Sequence, residues 1–428
     1  MKRYLITYLL LLAVLSNAQK KNRVLLRNGT IHVGNGQVIE LGLVSFADGK
    51  ILMVSDVKGI RIDPASYDTI IDIDGKHVYP AVISPNTILG LQEAEAIRPS
   101  SDFNEVGGIN PHVRSLIAYN TDSKILPTVK TNGVLYTQCT PRGGLISGSS
   151  SVLSTDGWNW EDAVLKADDG IHLNFPRSVQ KNGWWAEPAP SGKNTRFDEE
   201  IAALNSFFDE ASFYCKNAAG TIETNIRFEA MRKVFDGTQN LYLHANSAKD
   251  IVQAVNFAKK YAIKKPVIVG GKDAWKIASF LRENKIPVML NRLHDLPELP
   301  DDDVDITFRS PALLMKDSVL FCLQTEGDME AMQSRNLPFL AGTAAAYGLS
   351  KEQALQSITL NAAKILGVDK MIGSLETDKM ASLVISDGDL LDMKTNKVIA
   401  AFVNGRPVDL VNDQQKLYEK YKAKYGLK

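Results

Sequence analysis

His244, in the run Leu243, His244, Ala245, Asn246, and Glu326, in the run Gln324, Thr325, Glu326, Gly327, are the side chains whose types suit acid–base chemistry. An imidazole near neutrality takes a proton as a general base, and a carboxylate beside it holds the ring in one orientation. Arg142, followed by Gly143 and Gly144, opens a Gly/Ser-rich segment that runs to Ser151. A guanidinium with exposed backbone N–H groups suits a carboxylate, a phosphate or a developing oxyanion. The same segment also reads as a tight loop that needs glycine for its backbone angles. Four of the five tryptophans, Trp158, Trp160, Trp184 and Trp185, share a stretch with Asn159, Glu161, Asp162, His172 and Asn174. Trp184 and Trp185 are candidates to stack on a ligand ring, and ordinary packing of a long excursion accounts for the cluster as well. The remaining histidines lack H-x-H or H-E-x-x-H spacing, and no G-x-S-x-G, C-x-x-C or Walker-type motif is present.

The elements that must position these groups are of two kinds. Residues 23–73 alternate short apolar runs, at 24–26, 30–33, 43–46 and 51–54, with Gly-rich turns, which predicts a small antiparallel sheet. Runs at 381–386 and 398–403 predict that the C-terminal part joins it in one β-sandwich. Between them, apolar strands at 134–138, 241–244, 267–269, 288–290 and 319–323 alternate with helical stretches, as a parallel barrel with outer helices requires. Ser350 and Gln353 make a capping box, and Gly367 closes the next helix. The tail, 412–428, reads as an amphipathic helix packed on the body through Leu417, Tyr418, Tyr421 and Tyr425. The acidic run 298–305 reads as a solvated loop, with calcium binding as the alternative.

Lys2 and Arg3, an apolar run over 4–15 and the small residues Ser16 to Ala18 read as a cleavable signal peptide, 1–18, with uncleaved anchoring as the alternative, which predicts export, a bacterial periplasm fitting best. No stretch approaches the about 20 apolar residues that span a bilayer, so no integral membrane span is expected. Losing Lys2 and Arg3 leaves 47 of the 49 basic residues against 49 acidic ones, a balance that argues against nucleic acid. Cys139, Cys215 and Cys322 are an odd number scattered over 428 residues, so they read as core residues with one pair possible rather than a disulfide framework.

Residues 78–91 resemble the first barrel strand of the amidohydrolase superfamily, and Arg335 to Phe339, Ala341-Gly342, Ile358 to Gly367 and Gly373 to Glu376 are similar to its imidazolonepropionase-related members. The resemblance implies an α/β fold, a (β/α)8 TIM-like barrel plus a small composite β-sandwich formed by the N- and C-terminal segments. It also implies hydrolysis of C–N bonds in cyclic amides or peptide-like compounds by a metal-activated water. The boundaries so read are 19–79 with 375–411 for the sandwich, 80–374 for the barrel and 412–428 for the terminal helix. Carried over residue by residue, the strand-one histidine pair falls on Asn86 and Ile88, the strand-six histidine near Gly270, and the strand-eight aspartate at or beside Thr325. His244 matches the fifth-strand histidine. There is no strand-four lysine, and the family's Gly-Lys-Asp-Ala-Asp has become Asp378 to Ser382. A catalytic zinc usually takes three protein ligands. No metal or other cofactor is therefore expected, zinc or another divalent ion entering only if Glu326 and Asp328 rebuild a site around His244. The reading is an exported amidohydrolase-family pseudoenzyme that binds a small-molecule or peptide-like ligand, as a homo-oligomer or as partner subunit of an intact homologue. The alternative is an active C–N hydrolase, with His244 as base, Glu326 orienting it and Arg142 with loop N–H groups steadying an oxyanion.

Overall fold

Eight runs become barrel strands, most of them short, apolar and buried on both faces, where β-branched and other apolar side chains pack on a pleated surface. They are β1 (Val82–Thr87), β2 (Val134–Cys139), β3 (Ile146–Ser154), β4 (Val164–Asn174), β5 (Asn240–Ala245), β6 (Pro266–Gly270), β7 (Val288–Leu290) and β8 (Phe321–Leu323). The computed structural model describes residues 23–181, 191–217, 220, 223–297, 299 and 301–427. The strands form one sheet in sequence order. No ladder joins β1 to β8 among the described residues. The gap is bridged by the Ile83 N–H donating to the Ile358 carbonyl at 2.9 Å and by Ser334, whose Oγ meets Ser84, Thr87 and Thr325 at 3.2, 3.3 and 3.4 Å.

The barrel departs from the all-parallel expectation at β3. It runs antiparallel to both β2 and β4, while the other neighbouring pairs are parallel. Only residues 140–145 separate β2 from β3, and a parallel crossover needs a dozen or more. Gly143 and Gly144, at φ 89° and 65°, make the reversal, a region that favours glycine.

Alternation along the strands sorts side chains between two cores. Leu241, Leu243 and Ala245 of β5 face the outer helices with Ile171 and Leu173 of β4, whereas Tyr242 joins Tyr136, Val152, Val269, Met289 and Cys322 inside the barrel. The period of two therefore sends His172 and Asn174, Tyr242 and His244, and Gln138 to the interior. The helix Lys351–Ser357 carries the expected capping box, and the helix Leu360–Leu366 ends on Gly367 in the left-handed region.

The terminal segments share one eight-stranded sheet, in which Leu383–Ser386 pairs antiparallel with His77–Pro80, and Val24–His32 pairs with Val38–Ala47. A second facing sheet, as a sandwich requires, is not assigned among the described residues. The helix Asp413–Lys424 corrects another expectation. It buries no residue, and Leu417, Tyr418, Tyr421 and Tyr425 are all exposed. Its first turn is tied down by Thr128 to Gln414 at 3.3 Å and Lys124 to Asp413 at 4.0 Å. Residues 1–18, read above as a signal peptide, Trp184, Trp185 and part of the acidic run, Glu298 and Pro300, lie outside the described residues. Cys139, Cys215 and Cys322 are free thiols.

Candidate functional site

At the C-terminal end of β1 the backbone turns at Asn86, whose φ of 49° suits asparagine better than most residues. The turn directs the Asn86 carbonyl and amide at one guanidinium. Arg142 donates to Asn86 Oδ1 at 3.0 Å and to its backbone O at 2.9 Å, and also to both oxygens of Glu330 at 2.9 and 3.2 Å. Glu330 accepts in addition from the Ile88 and Gly327 N–H groups at 3.1 and 3.3 Å. Asn86 passes the contact onward, its Nδ2 donating to Glu326 Oε2 at 2.8 Å, and that oxygen lies 3.9 Å from His244 Nδ1.

The other side of His244 leads into the barrel. Its Nε2 is 2.9 Å from His172 Nδ1, and His172 Nε2 is 2.9 Å from Ser150 Oγ. Ser150 donates to Asp169 at 2.7 Å, and Asp169 also accepts from Tyr242 at 2.5 Å and Gln138 at 2.9 Å. Gln138 closes the circuit by accepting from the Asn86 N–H at 2.9 Å.

Burial sets the charges of this cluster. It pulls His244 down to about 4, helped by Arg142 and Arg177 and opposed by Glu326, and holds His172 well below the ordinary histidine value. Burial pushes Glu326 up, but Arg142, His244 and Asn86 outweigh it and leave the carboxyl below its ordinary value. Glu330 ends above that value because burial, with Glu326 adding to it, outweighs Arg142. Asp169 is likewise raised by burial, against the hydrogen bonds from Tyr242 and Ser150. At neutral pH the rings are uncharged, and Arg142 is the cation that the two glutamates share.

His244 and Glu326 line a cavity of about 420 Å³ at the barrel mouth, together with Asn174, Arg177, Asn246, Gly270, Lys272, Asn291 and Arg292. Residues 294–410 match the amidohydrolase family profile. An amidohydrolase from Thermotoga maritima MSB8 is similar in structure, at a TM-score of 0.77 and 26% identity over 90% of this chain and 99% of that one. The C-terminal part of the chain thus carries the amidohydrolase family's sequence signature, on a fold that an amidohydrolase shares. A Xaa-Pro dipeptidase with bound methionine in its active site shares the superfamily fold at a TM-score of 0.56, with 13% identity over 90% of this chain and 100% of that one. An adenosine deaminase from Xanthomonas campestris with bound zinc does so at 0.52, with 14% identity over 94% of this chain and 97% of that one. No curated protein matches the sequence.

Amidohydrolases usually depend on metal, and the donor set here does not fit one. Among the described residues no group of three or more His, Cys, Asp or Glu side chains could hold an ion. Asn86 is consumed by Arg142 and Glu326, and Ile88 is packed in the core. Thr325 is buried against Ser334, and Gly270, at φ 99°, has Asn246 Oδ1 only 2.4 Å from where a Cβ would stand. His244 and His172 occupy each other, and a guanidinium stands beside Glu326, where it repels a cation. We derive no step through a metal.

Of the residues singled out in the sequence, the structure brings His244, Glu326, Asn86 and Arg142 together. Arg142 points inward rather than at a ligand in the mouth. Gly143 and Gly144 form the β2–β3 reversal, the Gly144 carbonyl accepting from Asn174 at 2.8 Å, and neither lines the cavity. Trp158 is 90% exposed and Trp160 packs against the core, so this pair does not make a stacking wall. Asp328 only presents its carbonyl to Arg292 at 3.3 Å. Sequence reasoning missed the site roles of Gln138, Ser150, Asp169, Tyr242 and Glu330. A period-two reading of β4 and β5 would have paired His172 with His244, since both face inward on neighbouring strands.

Proposed function

We propose that the barrel mouth is a metal-independent site of hydrolase type for a small amide or peptide-like compound that carries a carboxylate. The observation that carries this is the lining of one cavity by His244 and Glu326 with the Arg142 guanidinium behind them. The 3.9 Å between His244 Nδ1 and Glu326 Oε2 is a span that one water bridges. His244 would take its proton as general base while Glu326 orients it. Arg177, exposed at the rim, and Arg292, whose Nε is buried without a partner, suit the carboxylate of such a compound. Asn246 Oδ1, also buried and unpartnered, suits its N–H. The methionine held by the Xaa-Pro dipeptidase shares the carboxylate of such a compound.

The test is turnover of a panel of N-acyl amino acids, dipeptides and cyclic imides by the mature chain, with and without chelator. Chelator-insensitive hydrolysis that falls by about 10²-fold or more in His244→Ala is expected. Stoichiometric bound zinc with chelator-sensitive turnover would overturn the reading. A second reading, a ligand-capturing or partner subunit, is favoured by the exposed Val106, Leu296 and Val304 on the loops after β1 and β7. Co-purification of an intact homologue, with no turnover by this chain alone, would put that reading first. Export to the periplasm belongs to the same proposal and rests on the charged and apolar composition of residues 1–18. Protein that stays in the cytoplasm with residues 1–18 still attached would count against it.

A further inference from the structure

Hydrogen-bond direction along the buried chain behind His244 is fixed from its far end. An ionised carboxylate only accepts, so at Asp169 the Ser150 O–H must be the donor, as Tyr242 and Gln138 are at the other oxygen. Ser150 Oγ, having given its proton to Asp169, accepts from His172 Nε2 at 2.9 Å and from Gln138 Nε2 at 3.1 Å. His172 therefore carries its proton on Nε2 and presents a bare Nδ1, which obliges His244 to donate from Nε2 across 2.9 Å. What remains on His244 is a bare Nδ1, the nitrogen on the side of Glu326 and the cavity. With Asp169 ionised, as its three hydrogen-bond donors favour, no ring in this chain of contacts has a free choice of tautomer.

We propose that Asp169, Ser150 and His172 are positioning residues that hold His244 with an unprotonated Nδ1 toward the mouth and relay a proton from that nitrogen to the Asp169 carboxylate. The step balances without a charged ring at its end. A water in the mouth gives its proton to His244 Nδ1 and is left as the attacking hydroxide. The Nε2 proton of His244 passes to His172 Nδ1, the Nε2 proton of His172 passes to Ser150 Oγ, and the Ser150 hydroxyl proton passes to Asp169 Oδ1. Both rings finish neutral in the opposite tautomer, and Asp169 finishes as the neutral acid. Return of the proton to a leaving amine reverses each transfer. A buried ring beside Arg142 is a poor place to store an imidazolium, and Asp169, which burial raises, is a better terminus. His172, stacked on Tyr242 with ring centroids 4.5 Å apart, is held in register by packing as well as by hydrogen bonds.

The inference rests on the reading of the mouth as a working site, but its test needs no substrate. In the full mature chain labelled with ¹⁵N-histidine, nitrogen chemical shifts at neutral pH report which nitrogen of each ring is protonated. His244 and His172 are both expected as pure Nε2–H tautomers. In Asp169→Asn, Tyr242 and Gln138 hold the amide oxygen, so the amide nitrogen faces Ser150 and donates to it, and both rings are expected to invert to Nδ1–H. If that variant does not fold, Ser150→Ala cuts the chain, and a mixture of tautomers at His172 and His244 is expected. Nδ1–H rings in the unmodified chain, or tautomers that do not change in a folded variant, would overturn the relay. Tautomers as expected with no turnover on any substrate would instead count against the proposed function and leave the positioning chain standing.

Discussion

Arg142 carries more of this site than any other single side chain. A guanidinium presents several donors in a rigid fork, and here they reach the Asn86 side chain, its carbonyl and both oxygens of Glu330. Removing it leaves Glu330 charged or forced to protonate, with the Asn86 acceptors unpaired. We expect Arg142→Met to lose about 3–5 kcal/mol of unfolding free energy in urea titrations, and Arg142→Lys to recover only part of it. A loss within about 0.5 kcal/mol would mean that Glu330 is neutral and the ion pair contributes little. The sequence showed an arginine beside two glycines and suggested that it faced a ligand. Its inward direction depends on Asn86 and Glu330, which lie 56 and 188 residues away along the chain.

At the level of elements, local signals were the legible ones. The Ser350 capping box and the Gly367 cap involve neighbours within a few residues, so their chemistry is written in the sequence. The antiparallel β3 was legible in the same way, through the short links on either side, but the barrel pattern drew attention from it. Gly170 shows what strand pairing adds: a Cβ there would meet Tyr242 Cε2 at 2.2 Å. Gly170→Ala is expected to cost about 1–3 kcal/mol in thermal or urea unfolding and to push Tyr242 off Asp169, visible as a changed tyrosine environment in near-ultraviolet circular dichroism. The helix Asp413–Lys424 buries nothing, which its tyrosines did not suggest. Truncation after Val411 should leave the melting midpoint within about 1 °C, and a larger drop would reveal a packing role.

Across the whole molecule, the interior histidines couple stability to pH. His244 has an ordinary value of 6.5 and sits near 4 in the fold, so the unfolded chain binds more protons between these limits. Its contribution is fully present above pH 6.5 and is lost as pH falls through about 4. The loss amounts to roughly 3 kcal/mol, to which His172 adds in the same direction. Glu326, held low, removes further stability only as pH falls below its ordinary 4.5. Urea midpoints measured across that range should decline, and His244→Gln should flatten the slope. A residual slope from His77 and His294, also lowered by burial, is expected to persist. An unchanged slope in His244→Gln would show that this ring is not buried neutral.

The sequence by itself determined local features, the apolar runs of strand length and the capping residues, while the barrel and the absence of the usual metal ligands at positions such as Ile88 and Gly270 followed from the resemblance to amidohydrolases. Only the tertiary structure decided what stands in the metal's place. Arg142, Glu330, Asn86 and Glu326 meet at one point because loops at the ends of distant strands converge at the barrel mouth, and His244, His172, Ser150 and Asp169 line up because neighbouring strands lie side by side. Strand register, not spacing along the chain, sets those distances of about 3 Å, and hydrogen-bond direction then fixes what each group can do.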